Sequence, residues 1–375
     1  MEKIITPNLI VGAGPSGLAM AGHFEKQSIP YTLIEKTQRV GNAWFEHYER
    51  LKLHTVKQYS ALPYWPFPKD YPEYVPRDLF FKYLEGYAEH FGIQAKFGQT
   101  LKQVNQSENG QWEVQTEEGQ QYITTNVILA TGLNRLMNHP NWKGVGDFQG
   151  DVRHSRFYKN AKGYKGQRVL IIGMGNTGAE IAIDLHENGV QPFISIRNPV
   201  NIITREFLGR SYQHSAMVLE KFPFWIGDRL GQLAQKIAVG NLTKYGLPKP
   251  TMPPATELRE HQKTPVIDIG TVKLIKQGHV VMMPDVAQFN PNTISFSDGR
   301  ELPFDSVILA TGYRAQVQDF FPGITLEVNR FGMPEDWKAA KYKGLYFLGF
   351  TDYAGGLLRG INRTSSNILE AIEVN

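Results

Sequence analysis

The sequence predicts an α/β protein built from two Rossmann-like dinucleotide-binding domains, one inserted in the other. Three observations predict it. Two G-x-G-x-x-G turns each follow an apolar run and open a helical pattern. Their first glycines, Gly12 and Gly173, lie 161 positions apart by subtraction, too far for a solenoid repeat and right for a duplicated domain. Two apolar strands also end alike, in Ala130-Thr131-Gly132 and Ala310-Thr311-Gly312.

In chain order, Ile4 to Val11 reads as a short buried strand. Gly12-Ala13-Gly14-Pro15-Ser16-Gly17 turns the chain into a helix reaching Phe24, and Tyr31 to Glu35 forms a second strand ending in an acid. The plan recurs at Arg168 to Ile172, through Gly173-Met174-Gly175-Asn176-Thr177-Gly178, into a helix over Ala179 to Glu187 and a strand from Pro192 to Arg197. The twin strands Val127–Gly132 and Val307–Gly312 mark crossings at a domain edge. They give a discontinuous first domain, residues 1–145 and 300–375, around a second, 146–299.

Residues 245–265, with Pro248, Pro250, Pro253 and Pro254, read as an extended loop. Phe222 to Val239 is amphipathic at helical spacing, Trp225, Leu230, Leu233 and Ile237 opposing Asp228, Arg229 and Lys236. Its apolar stripe is expected in the core or along a substrate channel rather than on a membrane. Gly349-Phe350-Thr351-Asp352 leads into a final helix from about Leu357.

Composition narrows the chemistry. The chain has no cysteine, which removes disulfides, thiolate metal sites and a Cys-x-x-Cys relay, so redox work must fall to a bound cofactor; no metal site is expected. The net charge of +4 comes from scattered Lys and Arg, not a nucleic-acid footprint. No apolar run is long enough to span a membrane, and the amino terminus enters a strand without a signal-peptide layout, so a cytoplasmic location is expected.

Each glycine loop suits a pyrophosphate, which needs bare backbone amides and a helix N-terminus. In the first, Gly12, Gly14, Pro15, Ser16 and Gly17 form the cradle, and Glu35 stands where a carboxylate accepts hydrogen bonds from a ribose diol, as for FAD or NAD. In the second, Gly173, Gly175, Asn176, Thr177 and Gly178 form the cradle. No acid follows there; the strand ends in Arg197, with Arg205 as a second cation, which favours the 2′-phosphate of NADPH over NADH.

Between the loops stands Phe148-Gln149-Gly150-Asp151-Val152-Arg153-His154-Ser155-Arg156-Phe157-Tyr158. It matches the fingerprint F-x-G-x-x-x-H-x-x-x-(F/Y) of class B flavin monooxygenases, carried here by Phe148, Gly150, His154 and Tyr158. The chain resembles that family over nearly its whole length, and most closely the YUCCA-type branch that oxidatively decarboxylates indole pyruvate in plants. Arg50-Leu51-Lys52-Leu53-His54, Gly173 to Ile181, Thr264-Pro265-Val266-Ile267-Asp268-Ile269-Gly270 and Gly344 to Thr351 carry that likeness.

The resemblance implies FAD at the first loop with Glu35, Lys36, Trp44, His54, Val104, Ala130 and Asp352 beside it, NADPH at the second, and a C4a-(hydro)peroxyflavin that transfers one oxygen atom. The implied partners are a small-molecule substrate and O2, with a homodimer as an admissible assembly. Where many N- and S-oxidising members carry an asparagine near the flavin, this chain reads His54-Thr55-Val56-Lys57-Gln58, and Thr55 and Lys57 are the local catalytic candidates. The competing readings are an NADPH-dependent flavin reductase or oxidase without oxygen insertion, and a flavin-binding sensor.

Overall fold

The computed structural model describes residues 3–207, 209–219, 223–351 and 355–373. It divides into two compact units. The first holds Met1–Glu46, Thr55–Leu136 and Tyr313–Asn375; the second holds His47–His54 and Met137–Gly312.

The first unit is organised by one sheet, in the order Ala95–Phe97, Thr32–Glu35, Lys3–Val11, Gln121–Leu129, Trp112–Thr116, Leu101–Gln106. Its first four strands run parallel. The strand Gln121–Leu129 pairs with Lys3–Val11 along one edge and serves two partners along the other. Its first half pairs antiparallel with Trp112–Thr116 and its second half pairs parallel with Leu345–Phe347. Leu9, Ile10 and Val11 are consecutive and all buried, as a parallel strand covered on both faces requires. One core cluster joins Leu9, Val11 and Ile34 to Val104, Trp112, Leu129 and Phe347. The helices Pro15–Gln27 and Leu357–Glu373 pack together on this unit.

The second unit has a wholly parallel sheet in the order Val281–Met283, Pro192–Ser195, Val169–Ile172, Ser306–Leu309, Asp151–His154. Its glycine strand, Val169–Ile172, is buried at every residue. A three-stranded antiparallel layer, Val286–Phe289, Thr293–Phe296 and Glu301–Pro303, shares its core through Phe289, Ile294 and Phe296.

The contact boundaries differ from those read in the sequence. Residues 137–145 and 300–312 belong with the second unit, because Ser306–Leu309 is a central strand of that sheet, paired to Val169–Ile172 on one side and Asp151–His154 on the other. Residues 47–54 join it as well, an excursion that no composition shift announces.

Two further expectations are corrected. The proline-rich stretch contains the helix Pro254–His261, because prolines at the cap and first helical position suit a helix start, with Glu257 in the first turn and Arg259 and His261 in the last. The amphipathic helix forms at Phe224–Ala238, but its apolar stripe is not core: Trp225, Leu230, Leu233 and Ile237 are all about half exposed or more (49–66%). Among the described residues no helix is long and apolar enough to cross a membrane.

Candidate functional site

In the first loop the three glycines do three jobs. Gly12 has φ +106°, and a Cβ there would lie 2.6 Å from the Ala130 carbonyl oxygen. A Cβ on Gly17 would fall 1.8 Å from the Gly12 oxygen, so this glycine lets the helix sit on the strand end. Gly14 faces open space. The helix Pro15–Gln27 starts with no side-chain cap, which leaves its first-turn amides to an anion. Ser16 is buried, close against Gly349, whose Cβ would meet its Oγ at 2.1 Å.

Glu35 is half-buried and already part of the loop. Its Oε2 accepts from the Ala13 amide at 2.8 Å, and its Oε1 accepts from the Thr37 amide and hydroxyl at 2.9 and 2.8 Å. A carboxylate offers about four acceptor positions, so one on Oε2 stays open for a hydroxyl. Thr131 Oγ1 is buried with no hydrogen-bond partner among the described residues, whereas its twin Thr311 donates to the Asn138 carbonyl. The open face at Gly14, the uncapped helix and this orphaned hydroxyl together fit a dinucleotide.

The other residues expected beside the flavin divide. Lys36 is exposed at the strand end, and Trp44 is half-buried with its ring edge-on to Phe80, centroids 4.4 Å apart. Val104 is fully buried in the first unit's core, so its side chain packs with apolar neighbours. Ala130 contributes its carbonyl to the Gly12 turn. His54 falls in the second unit. Asp352 lies outside the described residues.

The second loop repeats the first. Gly173 has φ +107° and would meet the Ala310 oxygen at 2.5 Å; Gly178 would meet the Gly173 oxygen at 2.1 Å; Gly175 faces open space. Its helix, Asn176–Glu187, likewise starts without a side-chain cap. Asn176 is a fastener: Oδ1 accepts from the Ile267 amide at 2.7 Å and Nδ2 donates to the Pro265 carbonyl at 3.4 Å. Asp268 then caps the next helix, its Oδ1 accepting from Gly270 and Val272. Thr177 is half-buried in the first turn.

Strand register shows how the cradles differ. The Gly12 amide donates to Ile34 and the Gly173 amide to Ser195, so the residue matching Glu35 is Ile196, and Arg197 matches Lys36. A buried isoleucine replaces the carboxylate, and an exposed arginine follows it. Arg205 is half-buried just past the strand Ile202–Thr204, its amide bonded to the Asp268 carbonyl.

The fingerprint residues fasten the second unit to itself. Phe148 packs edge-on against Phe289 and folds over Gly150, where a Cβ would meet the ring at 2.5 Å and the Asp305 oxygen at 2.7 Å. His154 is buried. Its Nδ1 accepts from the Arg156 amide, so its Nε2 carries the proton and donates to the Gly312 carbonyl at 3.1 Å. Burial holds its pKa below the usual histidine value. Tyr158 is buried and donates to Asp184; burial and that carboxylate push its phenol far above the ordinary range.

Asp184 is one of three carboxylates on a single face of the second loop's helix. Glu180, Asp184 and Glu187, at i, i+4 and i+7, bond His54, Tyr158 and Arg50. Their spacing was legible in the sequence; what they bind was not. The His54 and Arg50 contacts hold residues 47–54 in the second unit. In the neighbouring stretch, Thr55 bonds Ser60 at 2.7 Å, and Ser60 donates onward to the Val56 carbonyl, so the threonine proton is engaged. Lys57 Nζ donates to the Lys69 and Tyr71 carbonyls. Both catalytic candidates are thus tied into their own loop.

Comparison with known proteins agrees with this layout. The family described as flavin-binding monooxygenase-like matches residues 7–329. The chain is 38% identical, over 92% of its length and 82% of the relative's, to the probable indole-3-pyruvate monooxygenase YUCCA7 of Arabidopsis thaliana. It is 34% identical to the indole-3-pyruvate monooxygenase YUCCA1 of Oryza sativa subsp. japonica, covering 98% and 91% of the two chains. Its fold is similar to that of a flavin-containing monooxygenase from Stenotrophomonas maltophilia, with TM-score 0.75, 22% identity and 99% of both chains covered.

Proposed function

The chain belongs to the flavin-binding monooxygenase-like family and is a flavin monooxygenase; on that premise we propose that it uses FAD and NADPH to oxidise a 2-oxo acid of the indole-3-pyruvate kind. The observation that carries the cofactor assignment is the register difference between the cradles. Glu35, with one open acceptor position, suits the ribose diol of FAD. Ile196 removes the carboxylate that would repel a 2′-phosphate, and Arg197 supplies a cation beside it. The substrate class rests on the relatives' named activity.

When bound, the flavin supplies hydride acceptance and oxygen activation. The chain's own work is to bind and orient. The two open glycine faces receive the pyrophosphates, Glu35 fixes the FAD ribose, and the fingerprint residues hold the second cradle's strands in register. Small-molecule substrate and O2 are the partners this reading requires.

The test is steady-state oxidation of NADPH and NADH by the flavin-loaded protein, with and without indole-3-pyruvate. The expected result is a kcat/KM preference for NADPH and release of indole-3-acetate and CO2. Equal use of both nucleotides, or no decarboxylated product, would remove the corresponding half of the reading.

A further inference from the structure

Glu180 is a charged side chain only 2% exposed, and His54 is its single hydrogen-bond partner among the described residues, Nε2 to Oε1 at 2.7 Å. A carboxylate in that position needs such a partner, since desolvating a lone charge costs several kcal/mol. A carboxylate only accepts, so Nε2 must carry the proton. The other ring nitrogen, Nδ1, is buried and has no hydrogen-bond partner among the described residues. Orphaned buried polar atoms are rare in folded proteins and call for an explanation.

Position supplies one. Glu180 is four residues, a rise of about 6 Å, beyond Asn176, where the helix of the second loop begins. His54 therefore lies beside the first turns of the helix whose N-terminus frames the open face at Gly175. Of the polar side chains next to it, Thr55 and Lys57 are already engaged. We propose that Glu180 is a positioning residue: it fixes the His54 imidazole through Nε2, so that Nδ1 serves as the acceptor that an N–H or O–H of NADP(H) at the second loop meets. This rests on the assignment of NADPH to that loop.

The two ideas separate in one experiment on the flavin-loaded protein, labelled with 15N-histidine. NADP⁺ binding is followed independently by calorimetry, and the His54→Gln variant identifies the His54 signal among the ten histidines. The inference expects a bare Nδ1 and protonated Nε2 without nucleotide, and a shift of the Nδ1 resonance towards that of a hydrogen-bonded acceptor as NADP⁺ saturates. Glu180→Gln, which allows either tautomer, should blur that signal and weaken NADP⁺ binding about threefold to tenfold, the worth of one hydrogen bond.

If the pair were purely structural, Glu180→Gln would lower stability while Nδ1 in the wild type stayed unmoved by NADP⁺. Saturable NADP⁺ binding that leaves Nδ1 unmoved in the wild-type protein overturns the inference and leaves the proposed function standing. Absence of NADP⁺ binding overturns both. Because the wild-type spectrum decides, the test does not depend on Glu180→Gln folding.

Discussion

Arg197 is the exposed cation that follows the buried Ile196 in the second cradle. It stands where the first unit has Lys36, one position past the strand-end site that holds Glu35 in one cradle and Ile196 in the other. Arg197→Glu should raise the KM for NADPH about tenfold to a hundredfold and leave NADH almost unchanged, since a charge-assisted contact is worth roughly 1.5–3 kcal/mol. Equal losses with both nucleotides would show that Arg197 does not read the 2′-phosphate.

A second residue-scale prediction concerns His23, buried in the helix of the first loop. Ser365 donates to the Asn362 carbonyl, so His23 Nε2–H donates to Ser365, and Nδ1 accepts from the Tyr64 hydroxyl at 2.7 Å. Burial lowers its pKa to about 4. Between that value and about 6.5 the unfolded chain binds the proton more readily, so stability is full above pH 6.5 and falls as the pH drops. The loss amounts to at most about 3 kcal/mol. Urea midpoints at pH 7.5 and 4.5 should differ less in His23→Gln than in the wild type.

At the scale of the element, each loop separates space needed by the fold from space left for a ligand. Gly178 lies against the Gly173 carbonyl, while a Cβ on Gly175 would point into open space among the described residues. Gly178→Ala should therefore force the helix off its strand and lower the melting temperature by several degrees. Gly175→Ala should melt within about 2 °C of the wild type yet raise the KM for NADPH at least tenfold, because its methyl meets only the phosphate. Parallel melting curves and NADPH titrations check the pair. Loss of stability in Gly175→Ala would mean that this face packs against protein.

For the whole molecule, the two-cradle fold was legible because glycine turns and twin strand endings are local patterns with a steric cause. The Gly12 and Gly173 turns each press on the carbonyl of an Ala-Thr-Gly alanine, and that repeated contact is what the repeated letters encode. Two things were hidden. Residues 47–54 join the second unit through Arg50 and His54, pairings 137 and 126 positions apart that no local pattern reveals. The stripe on Phe224–Ala238 has a helical period, but period alone does not say what covers the apolar face, and here the stripe is exposed. For Thr55 and Lys57 the sequence shows suitable chemistry but not the hydrogen bonds that engage both side chains within their own loop.

Oxygen insertion by a flavin monooxygenase leaves an isotopic record in the product. The flavin-loaded protein is given NADPH and indole-3-pyruvate under 18O2, and the products and remaining NADPH are quantified. The proposed reaction would consume indole-3-pyruvate, NADPH, O2 and a proton and yield indole-3-acetate, CO2, NADP⁺ and water. One 18O atom in each indole-3-acetate molecule, with close to one NADPH consumed per product, is the predicted result. NADPH consumption that ends in hydrogen peroxide, with no label in any organic product across a panel of 2-oxo acids, ketones, sulfides and amines, would contradict it.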